Sequence, residues 1–279
     1  MLIRVIVFLL TVWKMSVPVL AQGDSAQVGN STRESIIATV KEIQKAAYEG
    51  DRTALQRLHD QLTPLLTDKP LASRMLYWRG FALWRKGMNG LNENPVPKDL
   101  ERDFNLAIAD FNDSIVKDPG NIESRIGKIS CLNYVLSLTR SDQIDLRVLM
   151  QQVLSTFLKQ AQSQAPDNPR LLWVIGPMLW SSAPGRGGGQ EKAFDAYNRG
   201  LAAIRGQKPP SDPLEPSWGE PELLASLAWS SLNRTTPELD AADQQVHAAL
   251  QLVPKWHYAR DVLLPQIEEA KAKANAKTQ

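Results

Sequence analysis

Residues 166–204 constrain the fold more than any other stretch of the chain. They read P-D-N-P-R-L-L-W-V-I-G-P-M-L-W, a glycine-rich turn, then Q-E-K-A-F-D-A-Y-N-R-G-L-A-A-I. Leu172, Ile175 and Leu179 recur at helical spacing before the turn, and Ala193, Phe194, Tyr197 and Leu201 after it. Pro166 stops the preceding helix, Asn168 caps the next, and Pro169 suits its first position. Gly176, Ala193 and Gly200 are small where two helices must approach closely. This is a helical hairpin. A hairpin cannot hide its apolar face alone, so it needs neighbours of the same kind.

Those neighbours are present along the chain. Ser31-Thr32-Arg33-Glu34 fits a capping box ahead of Ile36, Val40, Ile43 and Ala47. Asp51 caps a helix carrying Leu55, Leu58, Leu62 and Leu65. A third helix opens at Pro70 and closes at Gly87, and its partner carries Leu100, Phe104, Ala107, Phe111 and Ile115 up to Pro119. Two further helices run from Ile122 to Leu136 and from Leu146 to Phe157. After the opening hairpin comes R-G-Q-K-P-P-S-D-P-L-E-P-S-W-G, whose four prolines make it an extended connector. A short helix spans residues 220–232, and Thr235-Thr236-Pro237-Glu238 fits a second capping box before Leu239. A last helix starts at Trp256. The sum is about eleven helices, and no stretch alternates with strand period.

Ala107, Phe111 and Pro119 carry the small, aromatic and proline spacing of the tetratricopeptide repeat, which the chain resembles in architecture over residues 33–274. The likeness is most specific at residues 107–119, 166–201 and 242–254. It implies an all-α fold of stacked helical hairpins, a tetratricopeptide-like α-solenoid whose first arms line an inner groove. The segment A-L-Q-L-V-P-K-W-H-Y-A-R-D-V-L-L-P-Q-I also resembles the end of certain bacterial envelope repeat proteins, which implies an envelope setting and no chemistry.

The first 21 residues support that setting. Arg4 precedes an apolar run from Ile6 to Trp13, and Val19-Leu20-Ala21 is a small-residue cleavage site. Lys14 interrupts the run, whereas a membrane span needs about 20 unbroken apolar residues. Residues 1–21 therefore read as a signal peptide, with a retained anchor as the alternative. Residues 22–32 read as a flexible N-terminus, 33–274 as the repeat domain and 275–279 as a solvated tail. The chain is expected to be exported, periplasmic or secreted after cleavage near Ala21, with no integral span in its mature form.

Little in the sequence points to catalysis. A net charge of +2 gives no basic stripe for nucleic acid or an anionic membrane. Cys131 stands alone, so no internal disulfide forms. His59, His247 and His257 lack metal spacing, and neither a G-x-S-x-G elbow nor an H-E-x-x-H motif occurs. In A-P-G-R-G-G-G-Q-E-K, Gln190-Glu191 separate the glycines from Lys192, so the segment reads as a turn and not a phosphate loop. No enzyme activity, cofactor or metal is expected.

Recognition falls to the aromatic residues. Trp78, Trp84, Trp173, Trp180 and Trp229 all lie on first arms, while Trp180, Arg186 and Trp218 flank irregular loops. The candidate contact residues are Trp180, Arg186, Trp218, Trp84 and Trp229. The expected function is a non-enzymatic scaffold that binds a protein or peptide in its concave groove. A small-molecule site inside the solenoid, beside a transporter, is the alternative, and an enzyme regulator the third. An enclosed cavity with Trp180 and Arg186 converging on it would favour the small molecule.

Overall fold

The computed structural model describes residues 22–67, 70–93 and 96–278. The expected signal peptide lies outside the described residues. Eleven α-helices and no strand occur among the described residues: α1 (Gln22–Glu49), α2 (Arg52–Leu62), α3 (Ala72–Gly90), α4 (Pro97–Lys117), α5 (Ile122–Leu138), α6 (Ile144–Gln164), α7 (Pro169–Ser181), α8 (Gln190–Gly206), α9 (Glu220–Asn233), α10 (Leu239–Leu252) and α11 (Leu264–Thr278). A π-helical turn, Tyr258–Leu263, leads into α11. The chain divides after Ser35. Before that point the described backbone is the opening part of α1, and from Ile36 onward lies the body that holds the core.

Helix starts follow local chemistry. Asp51 accepts a hydrogen bond from the Ala54 N–H at 2.8 Å, Asn121 from Ser124, and Asn168 from Arg170 and Leu171. Three expected boundaries are different. The Ser31 capping box is absent because α1 already runs through it from Gln22. Thr235 does not cap α10; its N–H and hydroxyl both bond to Gln190 Oε1, and the helix begins at Leu239. Gly87 does not end α3, which continues to Gly90. A Cβ at Gly87 would stand 2.7 Å from the Phe104 ring, so that glycine serves close packing of α3 on α4 and not termination.

The helices pack in chain order. α3 on α4, α7 on α8 and α9 on α10 form the closest pairs, joined by α2–α3, α4–α5, α5–α6 and α8–α9. Alternate helices also touch: α3 meets α5, α5 meets α7, and α7 meets α9. Side chains on these alternate helices build an aromatic core. Trp84 lies 5.8 Å from Phe81 and 5.6 Å from Trp218, both edge-on, and Trp173 meets Trp218 edge-on at 5.5 Å. Each such pair adds about 0.5–1.5 kcal/mol beyond area burial.

The proline-rich segment after α8 is not helical; it turns at Asp212–Glu215, where the Glu215 N–H bonds the Asp212 carbonyl at 2.9 Å, and returns to this core. Leu214 and Trp218 are buried. Trp78 donates its indole N–H to the Leu214 carbonyl at 2.9 Å, and Trp218 donates to the Tyr77 hydroxyl at 2.9 Å. Arg74 pairs with Asp212, and Arg170 donates to the Trp218 carbonyl. The connector therefore covers the N-terminal halves of α3 and α7. By contrast α6 is thinly packed: only Leu154 and Ala161 of its residues are buried, while Ile144, Leu146, Val148, Leu149 and Val153 are exposed.

Candidate ligand cavity

Beside the connector, the C-terminal half of α3 and the stretch of α7 from Trp173 to Trp180 face an open cavity of about 500 Å³. Helical spacing supplies its wall. α3 contributes Arg85, Met88 and Asn89, and α5 contributes Ser130, Asn133 and Tyr134. α7 adds Trp173, Val174, Pro177 and Trp180; α9 adds Glu222, Ala225, Ser226 and Trp229. The α3, α5 and α9 sets fall at i, i+3 and i+4, with i+7 added on α9, and the α7 set falls at i, i+1, i+4 and i+7; each is one face of a helix. Leu91 and Asn92 after α3, Tyr197 of α8 and the pair Trp256 and Tyr258 complete the lining.

The aromatic groups set the character of the wall. Trp180 and Trp229 meet edge-on at 5.2 Å, and Trp256 lies 6.1 Å from Tyr258. Trp173 is pinned by its indole N–H to the Ser226 hydroxyl at 3.0 Å. Burial pushes the Tyr134 phenol up to about 12, with Cys131 adding and Arg85 opposing. Burial likewise pushes Tyr258 up to about 12. Both hydroxyls are thus neutral donors at any physiological pH.

One ion pair crosses the cavity. Arg85 Nη2 of α3 lies 3.0 Å from the Glu222 carboxylate of α9, and both side chains are nearly fully buried. Glu222 Oε2 also accepts from the Tyr48 hydroxyl at 3.2 Å and from the Gly219 N–H at 3.0 Å. Arg85 stands over the Tyr48 and Phe81 rings at 5.4 and 5.6 Å.

The residues singled out from sequence separate into three groups. Trp180 and Trp229 line the cavity and are half-buried. Trp84 and Trp218 do not face a partner; they are 0% and 3% exposed and their rings are spent on the aromatic core. Arg186 is exposed on the turn after α7, where Gly187 and Gly189 take positive φ values of 82° and 110° as a tight turn demands. It does not line the cavity, so Trp180 and Arg186 do not converge. Arg85, Tyr134, Glu222 and Tyr258 escaped the sequence reading. The signal they left was polarity at positions where the apolar stripe should continue: Arg85 and Asn89 follow Phe81 at steps of four.

No family model matches the chain, and no curated protein matches it.

Chemically, the wall offers stacking surfaces, neutral hydroxyl and amide groups, and one ion pair that neutralises itself. Cys131 is buried, and burial raises its thiol well above its ordinary value, which keeps it protonated and unreactive. His59, away from the cavity, is held between Asp60 at 2.8 Å and Asp110 at 3.1 Å and ties α2 to α4. No helix among the described residues is long and apolar enough to cross a membrane.

Proposed function

We propose that this chain is a non-catalytic binding protein that holds a small molecule in the aromatic cavity, within a tetratricopeptide-like solenoid. The observation that carries this reading is the division of the inner face. The chain's own connector fills one half, and the other half is a cavity of about 500 Å³, inside the range of small-ligand pockets. Contacts between alternate helices α3, α5, α7 and α9 support the stacking of hairpins. The leader-like residues 1–21 support export to a periplasmic or secreted setting.

Native mass spectrometry of residues 22–279, purified without denaturation, tests the reading. A bound small mass that is released on unfolding, and is missing from a Trp180→Ala, Trp229→Ala variant that still folds, is the expected result. A chain that carries no such mass, and whose tryptophan fluorescence no compound in a chemically broad library alters, would refute it.

A protein or peptide partner is the second reading. The exposed apolar residues of α6 favour it, since five large apolar side chains on one poorly packed helix are uncommon on a lone surface. Loss of partner capture in a Leu149→Asp, Val153→Asp variant with an unchanged cavity separates the two readings.

A further inference from the structure

The polar groups of the cavity leave more donors than acceptors unmatched. Glu222 Oε2 accepts from the Tyr48 hydroxyl and the Gly219 N–H, and Oε1, buried without a hydrogen bond, meets the Arg85 guanidinium as an ion pair at 3.0 Å. Arg85 is not supplied with acceptors. A guanidinium has five N–H donors. Its side chain is 3% exposed, and Nε and Nη1 are buried without a hydrogen-bond partner. A buried cation with unmatched donors is costly, and such groups in native folds have a purpose.

The neutral lining leans the same way. Among the described residues, the Tyr134 and Tyr258 hydroxyls and the Asn133 amide make no hydrogen bond with the protein, and Glu222 is the only acidic residue in the wall. Tyr134 is itself held in place by stacking on Phe104 at 4.8 Å, so its hydroxyl is positioned without being occupied. A cationic ligand would find the one carboxylate already neutralised and a guanidinium beside it. An acceptor-rich ligand finds a fixed cation and hydroxyl donors, with tryptophan faces for its body.

We infer that the ligand is a small organic carboxylate with a flat unsaturated body, its carboxylate set against Arg85 and the Tyr134 and Tyr258 hydroxyls and its body between Trp173, Trp180 and Trp229. This rests on reading the cavity as a ligand site. Arg85 then bridges two carboxylates, Glu222 from the protein and one from the ligand, as its forked donors permit.

The test uses residues 22–279 and tryptophan fluorescence titration with matched sets of compounds: benzoate, cinnamate and indole-3-acetate, each beside its amide and its amine counterpart. The carboxylate of at least one set is expected to bind about tenfold or more tightly than its amide, and the amine not at all. Tyr134→Phe removes a hydroxyl with no partner in the protein, so its fold is retained. It is expected to weaken the carboxylate several-fold and leave the amide unchanged. Arg85→Lys keeps the charge but loses the fork, and is expected to remove most of the carboxylate preference in a chain whose melting remains cooperative. Amides or amines that bind as well as carboxylates would overturn the anion assignment and leave the cavity reading standing. Failure of every compound in all three series would overturn the anion assignment; the cavity reading would stand or fall on the mass measurement.

Discussion

The two halves of α3 and α7 are built from the same material and treated differently. At the N-terminal ends of α3 and α7, Tyr77, Trp78 and Phe81 are covered by Leu214 and Trp218 of the connector. At the C-terminal end of α7, Trp180 meets Trp229 of α9 and Phe194 of α8, and both tryptophans border the cavity. The first half is closed by the chain itself, with the Trp78 and Trp218 indole N–H groups matched to a carbonyl and a hydroxyl and the Trp84 indole N–H buried without a partner. The second is left with unmatched donors at Arg85. A tryptophan on these helices is thus buried or left bordering the cavity according to whether the chain returns to cover it.

Substitutions on the two sides should break or sharpen this contrast. Trp218→Ala opens a hole among Trp84, Trp173 and Phe81 and is expected to cost about 3–5 kcal/mol, read as a lower urea midpoint at unchanged slope. Trp229→Ala, across the divide, should cost about 1–2 kcal/mol, since that ring is half-buried and its main neighbour is Trp180. Equal costs would erase the distinction.

Gly176→Ala comes next. An added Cβ would lie 2.0 Å from the Tyr197 ring where α7 and α8 touch behind the cavity, and overpacking of this kind costs about 1–3 kcal/mol by thermal melting.

Alkaline titration sharpens the chemistry of the open half. Tyr134 and Tyr258, each raised to about 12 chiefly by burial, stay protonated in the fold while unfolded tyrosines ionise near 10. Their contribution is whole below about pH 10 and is lost as pH rises from there through about 12. Stability should fall across that window, followed by phenolate absorbance, and a Tyr134→Phe, Tyr258→Phe variant should fall less. The smallest effect is expected at Arg186→Ala, on an exposed turn away from both halves: within about 0.5 kcal/mol, with ligand binding unchanged.

Much of the helical framework was legible from spacing and punctuation, because an apolar stripe with a capping Asn168 or a stopping Pro166 is a local fact. Gly87 misled for a physical reason: glycine ends helices and also admits close neighbours, and only the Phe104 ring opposite decides which. The connector's prolines told that it is not a helix but neither that it turns at Asp212–Glu215 nor where it goes, so Trp218 beside a loop read as a contact residue when it is buried. The cavity was hidden for a related reason. Arg85 and Glu222 are far apart in sequence, and the pairing of α3 with α9 follows from stacking geometry and not from either helix alone.

The anchored return of the connector also makes that segment a ruler. Gly206 ends α8 in solvent, Gln207 to Ser211 are exposed, and Leu214 is the first residue fixed to Trp78. Residues added near Pro209 and Pro210 would bulge outward at little cost, whereas residues removed there would draw Leu214 off its seat and tug on α9 behind it. A tag or reporter can be spliced into that span, and a shortened span cannot be repaired by any change elsewhere on the surface.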